Sequence, residues 1–251
     1  MDPETNTKAN TKAAAATTPP EADVRPKVRP AEVYSELRSR LMRGEFALRT
    51  RLIEDRIAAE LGVSRTPVRE AMRRLLSDGL VVRGDGGYYV AIPDLNGLRD
   101  LYELRIALEL RGVRRALESP AYGHDTSLLE PLRDEWRELW HDRPEPSADF
   151  VVMDEDFHVT LLRSTGNEAL TQTLESVNAR IRPVRMYDYL TEGRIERTIS
   201  QHLGIVEAVL AGNIEDGIAN LSEHVGESMD VVEKRAAHAL TQMTLSRGGF
   251  R

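Results

Sequence analysis

The chain has 251 residues, of which 41% are hydrophobic and 30% charged, enough for two ordinary domains that each bury a core. No apolar run approaches the roughly 18 residues of a membrane span, which argues against a membrane protein. Cysteine is absent, which excludes disulfides, thiolate metal sites and cysteine nucleophiles, so any metal must be held by nitrogen and oxygen. The net charge of -7 is unevenly spread. Residues 25–92 hold 14 Lys and Arg against 9 Asp and Glu, whereas residues 93–251 hold 18 against 28. A basic module followed by an acidic one suits a protein that neutralises phosphate with one end only, although charge also clusters by chance.

From Met1 to about Arg29 the chain is of low complexity, with AAAATTPP and a basic Arg25-Pro26-Lys27 stretch, and is expected to form a disordered arm. Arg25, Lys27 and Arg29 suit either DNA backbone or a solvated linker. The arm has no apolar signal-peptide core, so the expected location is the cytoplasm. Residues 30–92 read as one compact unit. AEVYSELRSRLMRGE repeats apolar residues at Val33, Leu37 and Leu41, which predicts an amphipathic helix ending near Gly44. A second helix is predicted over 53–61, stopped by Gly62. A third follows over 65–78, with Pro67 in its first turn, where a missing N–H costs nothing. LVVRGDGGYYVAI then predicts two short strands around Gly84-Asp85-Gly86-Gly87.

Beyond Pro93 the long segments all read as helix, over about 95–118, 126–141, 147–164, 168–189, 193–211 and 214–240. Short breaks at Pro and Gly imply an antiparallel α-helical bundle over 93–242, with a tail at 243–251. Pro183 should kink its helix. The fold class is therefore mostly α, a winged helix-turn-helix followed by a helical bundle.

In the third helix Val68, Met72 and Leu75 form one buried stripe. The other side carries Ser64 and Thr66 at the start, then Arg65, Arg69 and Arg73 four residues apart. A helix that reads duplex DNA needs this division, because its apolar stripe anchors it while its N-terminal side chains meet bases and phosphates. Arginine pairs with guanine O6 and N7 together, and hydroxyls at a helix start suit phosphate. Any single surface helix can carry three arginines. This one follows a helix and a short glycine turn and precedes a wing.

In the acidic half, DEDFH sets Asp154 and His158 one helical turn apart, able to share one ion. His202 and His224 lie in two further predicted helices, flanked by Leu203, Val206 and Leu210 and by Leu221, Val225 and Met229, so both are expected to face the bundle interior. These four residues are candidate metal ligands. Each histidine taken alone is equally a hydrogen-bonded core residue.

IEDRIAAELGVSRTPVREAMRRLLSDGLVV, and VSRTPVREA and DGLV within it, resembles the DNA-binding domain of GntR-type bacterial regulators over roughly residues 31–92. The resemblance implies DNA contacts from Ser64, Arg65, Thr66, Pro67 and Arg69 and from the wing tip near Gly86. Some members carry an arginine that reaches DNA where this chain has Asp55. LRIALELRGVRRAL, the Asp-x-x-x-His pair, TGNEAL and the two later histidines resemble the FCD (FadR-like) sensor domain, of the metal-binding kind, over roughly residues 94–240. That likeness makes Asp154, His158, His202 and His224 ligands of a divalent metal. Three imidazoles and one carboxylate suit zinc or nickel better than magnesium. It also puts Arg105 in the cavity as a clamp for an organic acid, with Asn178, Arg182 and Arg185 behind it. Arg105 is equally placed for an ion pair with Glu109 or Glu103.

The expected function is that of a homodimeric regulator, of the repressor kind, that binds a palindromic double-stranded DNA operator and responds to a small organic acid held beside the metal. A metal-dependent enzyme acting on a small carboxylic acid is the alternative, although neither a Ser-His-Asp arrangement nor a nucleotide loop is present.

Overall fold

A computed structural model describes residues 29–46, 50–186, 188–190 and 193–247, with the side chains of 233 and 235–247 left out. Arg25 and Lys27 of the expected arm, and residues 248–251 of the expected tail, lie outside the described residues.

The N-terminal unit is built from α1 (Pro30–Met42), α2 (Glu54–Leu61), α3 (Arg65–Ser77), β1 (Val81–Gly84) and β2 (Gly87–Val90). Helix α2 ends on Gly62 in the left-handed region, at φ 65°, and the Val63 amide returns to the Ala58 carbonyl at 3.0 Å. That closure turns the chain sharply into α3. The stripe expected on α3 is realised, with Val68, Met72 and Leu75 fully buried against Val33, Leu37 and Leu41 of α1 in one core.

The two strands pair antiparallel from Val81↔Val90 to Gly84↔Gly87, and Leu52 adds a bridge to Tyr88. Gly86 turns the hairpin at φ 74°, and a Cβ there would stand 2.8 Å from Arg51 Nη2, whose guanidinium donates to the Gly86 carbonyl. Gly86→Ala is therefore expected to destabilise the domain by about 1 kcal/mol, read as a lower urea midpoint at unchanged m-value. An unshifted midpoint would mean that the tip relaxes freely.

The helical unit consists of α4 (Leu95–Glu118), α5 (Thr126–His141), α6 (Phe150–Arg163), α7 (Glu168–Arg185), α8 (Arg194–Leu210) and α9 (Ile214–Arg247), with short 3-10 turns at Pro120–Tyr122 and Asp188–Leu190. Helix α4 packs on α7 and α9, α8 on α5 and α9, and α6 on α5 and α7. Trp136, fully buried, sits edge-on to both Phe150 and Phe157 at the centre of this core. None of the described helices is long and apolar enough to cross a membrane.

Three expected boundaries change. Helix α6 starts at Phe150 rather than 147, because the Ser147 hydroxyl accepts the Asp149 amide in a preceding turn. Helix α7 runs through Pro183 and stops at Arg185, and the chain resumes as a separate 3-10 turn. Helix α9 continues to Arg247, so the tail expected from 243 begins inside a helix.

Helix α7 also touches the N-terminal unit. Ala179 is part of that unit's core. Arg182 Nη1 donates to the Met42 carbonyl at 3.4 Å. Gly44 and Gly79, both at positive φ, receive the Met186 and Arg180 side chains, with virtual Cβ distances of 2.6 and 3.3 Å. A side chain at Gly44 would therefore collide with Met186.

Candidate functional site

Asp154, His158, His202 and His224 converge from α6, α8 and α9, all four fully buried. One donor atom from each lies within 4.8 Å of the others. The Nε2 atoms of His158 and His202 stand 3.2 and 3.1 Å from His224 Nε2. Asp154 Oδ1 is 3.9, 3.6 and 3.9 Å from Nε2 of His158, His202 and His224. Donors sharing one ion at about 2.1 Å are spaced roughly 3.0 to 3.5 Å apart, so the set fits one cation with little adjustment.

The partners on the far side of the rings settle the tautomers. His158 Nδ1 lies 2.5 Å from Glu109 Oε2, a carboxylate that only accepts. His224 Nδ1 lies 2.8 Å from Gln201 Oε1, whose amide is oriented by donating its NH2 to Glu227 at 2.8 Å. When both rings are neutral, as metal ligation requires, each carries its proton on Nδ1 and the Nε2 lone pairs face each other across 3.2 Å. Two lone pairs at that separation repel unless a cation lies between them. The carboxylate is also secured, since Asp154 accepts from the Tyr189 hydroxyl at 2.6 Å and from the Arg185 guanidinium.

The electrostatics favour the ligating forms. Burial, followed by the neighbouring imidazoles, holds His202 and His224 well below the ordinary 6.5, so both rings are neutral at neutral pH. Burial opposes ionisation of Asp154, but Arg185 leads the charges that bring it well below the usual carboxylate range. Burial likewise acts to raise the Glu109 carboxyl, and His158 and Arg105 beside it bring it down to about 2. His202 is held in place by stacking on Phe157, with ring centroids 3.8 Å apart.

Around this cluster, buried polar groups lack partners. Arg105 donates through Nε to Glu109 at 2.7 Å, while its Nη1 and Nη2 bond to nothing. The ion pair and a free fork therefore coexist in one side chain. The Tyr102 and Thr198 hydroxyls are likewise buried without a hydrogen-bond partner, and Arg185 Nη1 has only an ion pair with Glu155 at 3.8 Å. Both amide atoms of Asn178 are also buried without a hydrogen-bond partner, but Asn178 lines the cleft of Glu155 and Arg182 rather than the metal cluster. Burying such groups unpaired costs about 1 to 3 kcal/mol each, and a bound anion would satisfy several at once. Arg182, expected beside Arg105, is turned elsewhere. Its guanidinium grips Glu155 and lines a cleft of about 480 Å³ shared with Arg38 of α1. Arg185 faces Asp154 in its place.

On the side of α3 expected to read DNA, Ser64, Arg65, Thr66, Arg69 and Arg73 are exposed, as is Gly86 at the wing tip. Pro67 is buried with Val68, so it shapes the start of α3 rather than presenting a contact surface. Arg65, Arg83 and the wing residues Gly84 to Tyr88 line a cleft of about 600 Å³.

Sequence reasoning missed Glu109, Gln201 and Tyr189, the groups that orient the ligands. Glu109 had one legible signal, its position on the α4 face that also carries Leu98, Tyr102 and Arg105. Gln201 and Tyr189 act through packing between helices that adjacent residues do not reveal.

Residues 30–90 match the family described as bacterial regulatory proteins, gntR family, and residues 100–227 match the FCD domain. The Nta operon transcriptional regulator of Aminobacter aminovorans is 31% identical over 201 residues, covering 76% of this chain and 90% of that protein. The gluconate operon transcriptional repressor of Bacillus subtilis (strain 168) is 26% identical over 229 residues, covering 86% and 88%. Among solved structures, a GntR transcriptional regulator from Rhodococcus sp. RHA1 superposes with a TM-score of 0.67 at 26% identity, covering 81% of this chain and 96% of that one.

Proposed function

The chain belongs to the GntR family of bacterial regulatory proteins and carries an FCD domain, and from that premise we propose how this DNA-binding transcriptional regulator is controlled. It acts as a homodimeric repressor on a near-palindromic operator and changes affinity when a small organic acid enters the helical domain beside a divalent metal. The matched families and named relatives are transcriptional regulators, so the enzyme alternative is dropped.

One observation carries the reading. The Nε2 atoms of His158 and His224 face each other inside the bundle, next to Arg105 donors that have no hydrogen-bond partner. The first feature calls for a cation and the second for an anion. Asp154, His158, His202 and His224 would hold zinc or nickel, and the bound ion supplies a Lewis-acidic anchor for a carboxylate. Arg105 offers its free fork to the same carboxylate, and Tyr102 and Thr198 offer neutral hydrogen bonds that orient the rest of the molecule.

At the other end, Ser64, Arg65, Thr66, Arg69 and Arg73 enter the major groove, with Gly86 carried toward the adjacent groove by the wing. A two-fold dimer places two such helices on matching half-sites. An effector acts only through unequal affinity for the DNA-bound and DNA-free arrangements, and α7 is the route, because it bears Arg185 against Asp154 and Arg182 against both Glu155 and Met42.

Operator binding titrated at fixed salt with lactate, malonate and citrate tests this reading, with the metal-loaded protein expected to respond to at least one of them. Unchanged affinity throughout would leave only constitutive binding. Arg65→Ala is expected to weaken specific binding by about 1 to 3 kcal/mol. An equal loss on random duplex would rule out base reading by that side chain.

A further inference from the structure

Two of the three arginines assigned above to the major groove, Arg65 and Arg69, are already held by acids of the preceding helix. Arg65 Nε lies 2.6 Å from Asp55 Oδ1, and Arg69 Nε donates to Glu54 Oε2 at 3.3 Å. Glu54 and Asp55 are the first two residues of α2, and the two pairs tie the start of α2 to the reading edge of α3. Asp55 and Arg65 stand together in the cleft between α2, α3 and the wing.

Fold stability gives little reason for them. The Asp55 and Arg65 side chains are 60% and 59% exposed and Arg69 is 47% exposed against 21% for Glu54, and ion pairs that open to water contribute little to stability. Their electrostatic effect on a DNA-facing surface is larger. A free arginine is drawn to any phosphate, whatever the sequence. One engaged through Nε by a carboxylate has most of its net charge cancelled, and its long side chain is held in one direction. Its amino groups can still pair with guanine O6 and N7, a bond that depends on geometry more than on net charge. The carboxylates themselves repel a backbone that comes close without that pairing.

We propose that Asp55 and Glu54 are specificity-determining positioning residues, which hold Arg65 and Arg69 for base edges and suppress binding to unrelated duplex. The proposal rests on the reading that α3 faces the major groove, so its test carries an arm for that reading.

The protein would first select its own duplex from a random-sequence pool by repeated rounds of binding. Affinity for that duplex and for a scrambled one is then measured from about 50 to 200 mM salt, the range over which phosphate contacts dominate. Asp55→Asn is expected to tighten binding to the scrambled duplex several-fold without tightening binding to the selected one. Its salt dependence on scrambled DNA should steepen by about 0.9 in the log–log slope, the value for one added phosphate contact. Glu54→Gln should act in the same direction, and Asp55→Glu should restore the wild-type ratio. Arg65→Ala reports on the reading face.

If Arg65→Ala lowers the ratio of the two affinities while Asp55→Asn leaves it unchanged, the positioning role is overturned and the reading face stands. If Asp55→Asn tightens both duplexes equally, the acid only masks charge and the proposal fails. If Arg65→Ala leaves the ratio intact, the reading face falls and the proposal falls with it.

Discussion

Stripping the purified protein of divalent metal at neutral pH is expected to lower its melting temperature by roughly 5 to 10 °C, and zinc or nickel alone should restore it. Ligand present at about a hundred times its Kd stabilises the folded state by about 2.7 kcal/mol, and each kcal/mol is worth about 2 to 4 °C in a chain of this size. The expectation follows from the four buried donors of Asp154, His158, His202 and His224, which converge within 4.8 Å and are satisfied together by one cation. His224→Gln, which keeps a polar group of similar reach, should abolish the metal-dependent shift while the apo protein still melts cooperatively. If melting is insensitive to every divalent metal tried and elemental analysis finds none bound, the cluster is a buried histidine network only. If metal shifts melting but DNA binding never responds to carboxylates, the ion is structural.

The second large effect concerns the link between the domains. The double variant Glu155→Gln, Arg182→Met is expected to bind its selected duplex as wild type does but to lose most of its response to the effector. Allosteric coupling typically amounts to 1 to 3 kcal/mol, or about 5- to 150-fold in affinity, and the variant should bring that factor close to one. Both charges are removed together because Glu155 is only 4% exposed, and leaving it unpaired would cost about 3 to 5 kcal/mol of stability and obscure the readout. The physical basis is the position of α7. Arg185 holds the Asp154 carboxylate, one turn earlier Arg182 spans Glu155 and the Met42 carbonyl, and Ala179 enters the DNA-binding core. A carboxylate arriving beside Asp154 competes for the Arg185 guanidinium, and a shift of α7 there displaces its contacts with α1. A full effector response in the double variant would show that the signal travels another way, for example through the covalent link into α4.

These expectations separate what periodicity can carry from what it cannot. The stripe of Val68, Met72 and Leu75 and the glycine turn before it were legible because helix amphipathicity and αL glycine are local matters. The bounds of α4 and α5 were legible from the proline and glycine breaks beside them, and in the structure Asp94 and Asp125 cap their starts by accepting the amides of Gly97 and Ser127. The inward direction of His202 and His224 followed from the apolar residues that flank each of them on its helix. The burial of Pro67 was not legible, because a motif names a position without its surroundings and the third position of α3 points inward.

By itself the sequence determined the element types, the two-unit organisation, the arginine-bearing edge of α3 and the residue types able to ligate a metal, because each depends on spacing along a single helix or strand. Only the tertiary structure decided that Glu109 and Gln201 lock two imidazole tautomers, that Arg182 is committed to Glu155 while Arg105 keeps a free fork, and that Asp55 and Glu54 hold the arginines of α3. Those outcomes depend on which helices meet and at what rotation, and a shift of a few ångströms between helices exchanges one charged partner for another without changing any pattern within either one.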